Sequence, residues 1–171
     1  MNIRLTATED IPAVMALYDG ARQFMRAQGN ADQWTNGYPA EKLVEQDIAL
    51  GRSYVCLEKD KLLAVFVLAL GADPTYAVID GAWLNDRPYA TLHRVASSGE
   101  KPGMMDAIVR WAFVRVPNLR GDTHEKNLPM QRAFERNGFV RCGTIWLADG
   151  SPRVAYQKEQ EERHATQANR Y

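Results

Sequence analysis

Residues 127–139 have the sequence NLPMQRAFERNGF. Asn127 is a residue type that often caps the start of a helix with its side chain. Gly138 suits the left-handed position just after a helix, and Phe139 begins an apolar strand pattern. The stretch therefore predicts a helix over 129–137 that leads into a strand at 139–147, although a plain capped helix without a special role has the same pattern.

A strand–loop–helix–strand unit precedes this helix. The pattern predicts strands at 89–97 and 119–123 and a helix at 103–115. The loop between the first strand and the helix contains Gly99 and Gly103, which allow close approach to the backbone. A helix N-terminus offers unpaired N–H groups and a partial positive charge that suit a pyrophosphate. Taken alone, a glycine loop before a helix is more often a simple turn.

The rest of the chain alternates between helix and strand patterns. A strand is expected at 2–6, and a helix begins at Thr8 or Asp10 with apolar residues at steps of three and four. The other predicted elements are a polar loop at 28–39, a helix at 40–50, strands at 53–58, 62–70, 76–84 and 152–158, and a polar tail at 159–171. The order β-α-α-β-β-β-β-α-β-α-β-β predicts an α/β (α+β) layered fold with a mixed sheet.

The composition is that of an ordinary globular domain. Of the 171 residues, 46% are hydrophobic and 25% are charged, and 21 basic side chains balance 21 acidic ones. A chain of this length can bury a sizeable core as one domain, which we place at 1–158. Proteins that bind nucleic acid usually carry a basic excess, so nucleic acid is not an expected partner.

The two cysteines and the apolar stretches indicate whether the chain binds metal and where in the cell it is expected. Cys56 and Cys142 lie in apolar stretches without a CxxC motif, which predicts buried free thiols and no metal site. The first residues show no apolar signal region, and the longest apolar run, 62–70, is shorter than the ~18 residues of a membrane span. We therefore expect a cytoplasmic protein with no membrane partner.

Several motifs resemble the GNAT N-acetyltransferase family over about 2–158. Residues 127–139 are similar to the family's signature, in which Asn, Tyr and Gly-Phe recur at this spacing, and Thr6-x-x-Glu9-Asp10-Ile11 is similar to its opening. Further stretches resemble a bacterial branch of the family: Gln33-Trp34, Tyr38-Pro39 and Asp80-Gly81-x-Trp83-Leu84. The resemblance implies a mixed, mostly antiparallel sheet flanked by helices. It also implies transfer of an acetyl group from acetyl-CoA to an amine.

The same resemblance implies a cofactor site between two splayed strands, 89–97 and 119–123. The pantetheine arm would pair with the backbone near Val95, Ala96 and Ser97. The pyrophosphate would sit on the N–H groups that begin at Gly103, Met104 and Met105, close to the charge of Lys101. Asn127 would face the cofactor arm, and Phe134 would lie near the thioester sulfur.

Two positions depart from the family pattern. In the phosphate loop, Glu100 replaces a basic or amide residue and Met105 replaces a small one. Phe134 stands where the family usually has a catalytic Tyr, which removes the expected general acid. Loss of a general acid slows a reaction by ~10²–10⁴-fold, but a thiol of pKa ~8.5 is already a fair leaving group. These departures leave open a degenerate GNAT-fold module that binds acyl-CoA or another ligand without catalysis.

The acceptor amine needs a group that takes up its proton, because an alkylamine of pKa ~10.4 is almost fully protonated at neutral pH. The candidates are His93, Asp122 and His124, which lie near the strand ends that flank the predicted cleft. Each also fits a structural role: His93 and His124 as packed or solvated residues, and Asp122 as a hydrogen-bonded cap.

Four aromatic residues could line the acceptor pocket: Trp34, Tyr38, Trp83 and Tyr89. Trp83 fits the hydrophobic core equally well. The expected acceptor is a small-molecule or peptide amine that attacks acetyl-CoA directly, because no cysteine stands where a nucleophile is needed. A nucleotide-binding Rossmann or flavodoxin-like fold is disfavoured, since strand 2–6 is not followed by a glycine fingerprint. A homodimer remains open.

Overall fold

The computed structural model describes residues 1–160. The predicted order of elements is confirmed. The strands are β1 (Asn2–Leu5), β2 (Ser53–Glu58), β3 (Lys61–Leu70), β4 (Asp80–Gly81), β5 (Ala90–Ser97), β6 (Asn118–Thr123), β7 (Val140–Trp146) and β8 (Pro152–Glu159). The α-helices are α1 (Ile11–Ala27), α2 (Glu41–Ala49), α3 (Met104–Arg115) and α4 (Leu128–Arg136).

One mixed sheet runs through the molecule in the order β1-β2-β3-β5-β6-β8-β7-β4. All neighbouring strands are antiparallel except β5 and β6, which are parallel. One face of the sheet packs against a core that includes Ile108 of α3 and Phe134 of α4. The other face packs against α1, through residues such as Val14 and Tyr18, and against α2, through Val44. The mostly antiparallel sheet between helices is the architecture that the sequence predicted.

The parallel strands β5 and β6 separate after a short contact. They pair only at Ala90–Leu119 and Thr91–Arg120, whereas β6 continues to pair with β8 as far as Thr123. The remainder of β5 therefore leaves the neighbouring strand, which opens the sheet into a V. This opening lies where the sequence analysis expected it, between 89–97 and 119–123.

The helix α4 has the ends that its sequence predicted. The side-chain oxygen of Asn127 accepts a hydrogen bond from the N–H of Met130, and Gly138 has a φ of 78°. The N–H of Phe139 donates to the carbonyl of Phe134, and that of Gly138 donates to Glu135, which is the Schellman arrangement. The rings of Phe134 and Phe139 meet with centroids 4.9 Å apart and complete the cap.

The predicted strand at 76–84 is too long, because the structure has a strand only at Asp80–Gly81. Pro74–Tyr76 form a single 3₁₀ turn, and the Asp73 carboxylate caps it by accepting from the N–H of Thr75. Only Asp80 and Gly81 pair with β7. A Cβ on Gly81 would lie 2.2 Å from the carbonyl oxygen of Cys142, so this close strand approach requires glycine. The turn that Asp73 caps therefore prevails over the β-branched and aromatic residues of 76–84, which favour a strand.

The C-terminal strand extends slightly past its predicted end. Glu159 belongs to β8 and forms an ion pair with Arg87, and the N–H of Gln160 donates to the carbonyl of Pro117. The remainder of the predicted tail, 161–171, lies outside the described residues. Both cysteines are buried and free, as predicted.

Candidate active site

A cavity of about 1150 Å³ passes through the V between β5 and β6. On one side of the sheet it is lined by α3 and α4, through residues such as Met104, Met105 and Phe134. On the other side it reaches the loop that holds Trp34, the turn at Asp73 and the side chain of His93. The opening thus connects a helix N-terminus with a polar pocket on the opposite face of the sheet.

The backbone around the V fits the cofactor arm that the family resemblance implies. Val95, Ala96 and Ser97 line the cavity on the stretch of β5 that β6 no longer pairs with. At the start of α3, Gly103 has a φ of 76°, and the first intrahelical bond runs from the N–H of Ala107 to its carbonyl. The N–H groups of 104–106 precede that bond and therefore lack an intrahelical acceptor, which makes this helix start suitable for an anion.

Charged groups of the glycine loop are paired with their neighbours. Glu100, which lines the cavity, forms an ion pair with Lys61. Lys101 does not line the cavity, and its ammonium instead pairs with Glu58. Lys61 therefore neutralises the carboxylate of Glu100, the residue that departs from the family pattern. The ammonium of Lys101 is held by Glu58 at the end of β2 and does not point toward the expected phosphate site.

Phe134 lies at the base of the V. Its ring stacks on Tyr156 at 5.0 Å and is buried, yet it contributes to the cavity wall. Its Cζ atom contacts β6 at Gly121, where an added Cβ would approach the ring to 2.8 Å. The missing side chain at Gly121 therefore makes room for an aromatic ring at position 134.

Asn127 joins three parts of the site. Besides capping α4, its side-chain amide donates to Oε1 of Gln33 at 2.8 Å, and the residue lines the cavity. The same Gln33 oxygen accepts a bond from Asn30 at 2.8 Å. This network holds the loop that carries Trp34 against the start of α4.

His93 is held by a carboxylate that sequence reasoning missed. Its Nε2 lies 2.9 Å from Oδ2 of Asp73, and both side chains line the cavity. The hydrogen bond with His93 is the main cause that lowers the pKa of Asp73 to about 2, so the carboxylate is ionised at neutral pH. Tyr89 accepts a bond from the N–H of Asp73 at 3.0 Å. In sequence, Asp73 before Pro74 indicates only a turn cap.

Asp122 also faces the cavity, but another side chain engages it. The hydroxyl of Tyr76 donates to Oδ1 of Asp122 at 2.6 Å. Burial, with the nearby Asp122 charge, raises the pKa of Tyr76 well above its usual value, so its hydroxyl stays protonated. One carboxylate oxygen of Asp122 is therefore occupied by the Tyr76 hydroxyl. Tyr76, which also lines the cavity, is a second residue that the sequence analysis missed.

His124 is not part of the cavity lining. Its Nδ1 accepts a hydrogen bond from the N–H of Lys126 at 3.1 Å, in the turn before α4. Burial, and then the charge of Arg153, lowers the pKa of His124, which keeps the ring neutral. Of the three candidate bases, the structure brings His93 and Asp122 to the cavity and leaves His124 behind its wall.

The four predicted aromatic residues occupy two different places. Trp34 and Tyr38 line the cavity, and their rings meet at 6.1 Å. Trp83 and Tyr89 lie behind the wall, where their rings cover the guanidinium of Arg120 at 4.1 and 4.0 Å. They support the wall rather than form it, because the 3₁₀ turn at 74–76 places Tyr76 between them and the cavity.

Arg94 marks an irregularity in β5 at the cavity. Its φ is 50°, and the pairing of β5 with β3 shifts register beside it, between the partners of Val65 and Val67. The guanidinium makes two hydrogen bonds to the buried carboxylate of Asp47 at 2.9 and 3.0 Å. It also donates to the hydroxyl of Tyr38 at 3.1 Å. The ion pair with α2 therefore holds a left-handed residue in the middle of a strand.

Residues 1–160 contain no group of three His, Cys, Asp or Glu side chains placed to hold a metal ion. Burial raises the pKa of the Cys56 thiol to about 11 and raises that of Cys142, and neither lines the cavity. In the same range, none of the helices combines the length and apolar character of a membrane span.

Solved structures of acetyltransferases share this fold. The chain is 32% identical to a GNAT-family acetyltransferase from Streptococcus agalactiae 2603, with a TM-score of 0.83, over 94% of this chain and 96% of that one. A GNAT-family acetyltransferase from Listeria monocytogenes 4b F2365 gives 21% identity and a TM-score of 0.68, over 93% and 94%.

AAC(6′)-Ib in complex with ribostamycin and coenzyme A gives 17% identity and a TM-score of 0.63, over 99% and 98% of the two chains. No protein-family model and no curated protein sequence matches the chain. The identity with the streptococcal protein, over nearly the full length of both chains, extends beyond a shared fold. The chain therefore belongs to the GNAT family of acetyltransferases.

Proposed function

We propose that this protein is an N-acetyltransferase that moves the acetyl group of acetyl-CoA to a primary amine of a small molecule or peptide. The observation that carries the proposal is the cavity through the V, which joins the N-terminus of α3 to the His93–Asp73 pair. A thioester entering from the α3 side and an amine entering from the opposite side would meet between β5 and β6.

Acetyl-CoA fits the α3 side by the chemistry of the groups found there. The pyrophosphate would be held by the N–H groups of 104–106, with Gly103 providing the left-handed turn. The amides of the pantetheine arm would pair with backbone groups at 95–97, which β6 leaves unpaired. Phe134 and Met105 would cover the apolar part of the arm. No metal is needed for this arrangement.

The reaction would proceed by direct attack. The amine nitrogen forms a bond to the acetyl carbonyl carbon, the carbon–sulfur bond breaks, and coenzyme A leaves as a thiolate. Because Asp73 is ionised, it accepts a hydrogen bond from Nε2–H of His93 and leaves the lone pair on Nδ1 to take the amine proton. Phe134 has no proton to give, so the thiolate leaves on the strength of its own acidity.

A binding module without catalysis is the second candidate. It is favoured by Phe134 at the position of the usual general acid and by Glu100 in the phosphate loop. Titration with acetyl-CoA, longer acyl-CoAs and free CoA, followed by thermal unfolding, measures ligand binding to the folded state. Release of free thiol that depends on an added amine then measures transfer.

Stabilisation by acetyl-CoA together with amine-dependent thiol release supports the transferase. Stabilisation without thiol release, across a broad panel of amines, supports the binding module. If saturating acetyl-CoA, longer acyl-CoAs and free CoA all leave the melting temperature unchanged, the transferase and an acyl-CoA-binding module both lose their basis, because each requires the α3 side of the cavity to bind the cofactor.

A further inference from the structure

The arginines that line the cavity differ in how their charge is balanced. Arg94 is paired with the Asp47 carboxylate. Arg153, on β8, is 6% exposed and makes only carbonyl contacts, to Pro152 at 2.8 Å and to Gln33 at 3.4 Å. Among residues 1–160, no carboxylate lies within ion-pair distance of its guanidinium. A guanidinium carries five N–H donors, so these two contacts leave donors for a ligand.

The carboxylates of the cavity are already engaged by other groups. The pairs are Asp73 with His93, Asp122 with Tyr76, Asp32 with Lys126, Glu100 with Lys61, and Asp149 with Ser151. A buried charge without a counter-charge is costly, and an oxyanion that accepts two parallel N–H bonds is its best partner. The hydrogen bonds from Ser151 are the main cause that lowers the pKa of Asp149, and Arg153 is near enough for its charge to contribute, but no carboxylate of residues 1–160 forms an ion pair with this guanidinium.

The sheet register places Arg153 beside the proposed chemistry. Asp122 on β6 faces Ala155 on β8, and Arg153 is two residues away along the same strand. Side chains two residues apart project from one face, and the two levels differ by roughly 7 Å along the strand. Thr91 on β5 pairs with Arg120 on β6, whose side chain projects from the same face of the sheet as Asp122. His93, two residues after Thr91, therefore projects from that face as well. Arg153 and His93 therefore project from one face of the sheet and line the same cavity.

We propose that the acceptor amine carries a carboxylate and that Arg153 binds it, so that the substrate class is amino acids or related amino carboxylates. This inference rests on the proposed transferase function. Gln33 contributes by accepting from Arg153, which ties the substrate-binding arginine to the loop that carries Trp34. Trp34 would then cover the body of the acceptor between its amine and its carboxylate.

The test compares each amino acid with its amide. Thiol release from acetyl-CoA is measured with β-alanine and β-alaninamide, and with phenylalanine and phenylalaninamide, for wild type and Arg153→Gln. The two members of a pair differ in amine basicity, but this difference cancels when the acid-to-amide ratio of kcat/KM is compared between proteins. We expect Arg153→Gln to lower that ratio by about 10- to 100-fold, since it removes hydrogen bonds between charged groups.

The control is Arg141→Gln, an exposed arginine on the adjacent strand β7, which should leave the ratio unchanged. Arg153→Lys keeps the charge but loses the two-pronged geometry, so it should lower the ratio several-fold; it also serves as the test if the glutamine variant does not fold. Acetyl-CoA binding, measured by calorimetry, should be equal in all four proteins.

An unchanged ratio in both Arg153 variants, with acetyl-CoA binding and transfer intact, would overturn the inference and leave the transferase standing. Faster transfer to O-phosphoethanolamine than to β-alanine, with the same dependence on Arg153, would assign the position to a phosphate and overturn the carboxylate. Absence of acetyl-CoA binding in wild type would remove the proposed function and this inference with it.

Discussion

Nε2 of His93 lies 2.9 Å from Oδ2 of Asp73, although twenty positions separate the two residues in the chain. His93 projects from β5 next to the V, and Asp73 caps the 3₁₀ turn that covers it. The contact with Asp73 fixes the position and orientation of the His93 ring. In the proposed reaction the carboxylate accepts from Nε2–H, which leaves Nδ1 as the proton acceptor.

The first prediction concerns the ring itself. His93→Gln keeps a polar side chain but cannot take the amine proton, so kcat/KM should fall by roughly 10²–10⁴-fold while acetyl-CoA affinity stays within about twofold. His124→Gln is the matched change at a histidine outside the cavity lining and should have a much smaller effect. Steady-state thiol release measures both variants. A larger loss for His124 would transfer the role of base to that residue.

The second prediction concerns the stability that Asp73 provides. Its carboxyl pKa is about 2 in the folded protein, against 3.8 for the free group. A lowered pKa stabilises the fold above the unfolded value, and this contribution is lost as the pH falls from about 4 through 2. Melting temperature should therefore drop more steeply in wild type than in Asp73→Asn over that range.

Glu45→Gln, at an exposed position on α2, controls for loss of a negative charge and should keep the wild-type slope. Parallel pH dependence in wild type and Asp73→Asn would mean that the bond with His93 does not contribute to folding. Thermal unfolding, followed by circular dichroism at intervals between pH 5 and pH 2, measures the pH dependence of the melting temperature in all three proteins.

Local signals in the sequence predicted the helices, the family resemblance implied the V, and non-local contacts account for what was missed. The cap at Asn127 and the C′ glycine at 138 act within one helix, so their residue types alone indicate the ends of α4. Strand 76–84 was predicted too long, because the turn that Asp73 caps extends through Tyr76, where the strand pattern begins. The alternation of strand residues cannot show that a cap also serves as the partner of a histidine on β5.

The electrostatics of the site were also beyond sequence reasoning. Arg94 adopts a left-handed conformation because Asp47, on a distant helix, holds its guanidinium, and arginine has no intrinsic preference for that region. Arg153 belongs to a strand with ordinary alternation, and only the structure shows that its charge is buried and that no carboxylate of the described residues pairs with it. Lys101 was expected to serve the phosphates, but its pairing with Glu58 depends on the register of β2.

The third prediction tests the contact between Gly121 and the ring of Phe134. A Cβ at position 121 would lie 2.8 Å from Cζ, so Gly121→Ala must displace a ring that packs between Tyr156 and Phe139. We expect a loss of about 1–3 kcal/mol in the free energy of unfolding. In Phe134→Leu the smaller side chain should absorb the methyl group, so the two changes should not be additive.

Denaturant unfolding of the two single variants and the double variant measures this coupling. Gly20→Ala on α1 is the control, because a Cβ there meets no atom within 4 Å and alanine favours a helix. Strict additivity of the changes at 121 and 134 would show that the glycine and the ring are independent.

The fourth prediction concerns cofactor binding. Gly103→Glu introduces a carboxylate at the start of α3, where we propose that the pyrophosphate binds, and should abolish stabilisation by acetyl-CoA. Gly51→Glu makes the same change at another left-handed glycine, with a φ of 63° against 76°, away from the cavity. The control shares the backbone strain and the added charge, so it should retain the ligand-induced shift. Equal loss in both variants would indicate general destabilisation instead of a cofactor site.

The last prediction concerns Phe134→Tyr, which places a hydroxyl at the position of the family's usual general acid. The ring already lines the cavity, and its Cζ packs against the backbone of β6 at Gly121, so the direction of the new hydroxyl decides the outcome. If the hydroxyl points into the cavity, it can give a proton to the leaving thiolate, so transfer should equal or exceed the wild-type rate within the ~10²–10⁴-fold range of general acid catalysis. Stability should then stay within about 1 kcal/mol of wild type, since the hydroxyl keeps access to water in the cavity.

Thiol release and thermal unfolding are measured on the same preparation, with Phe139→Tyr as a control for a hydroxyl added to the neighbouring core ring. A loss of about 1–3 kcal/mol without faster transfer would show that the para position is buried against β6 and that Phe134 is only a packing residue.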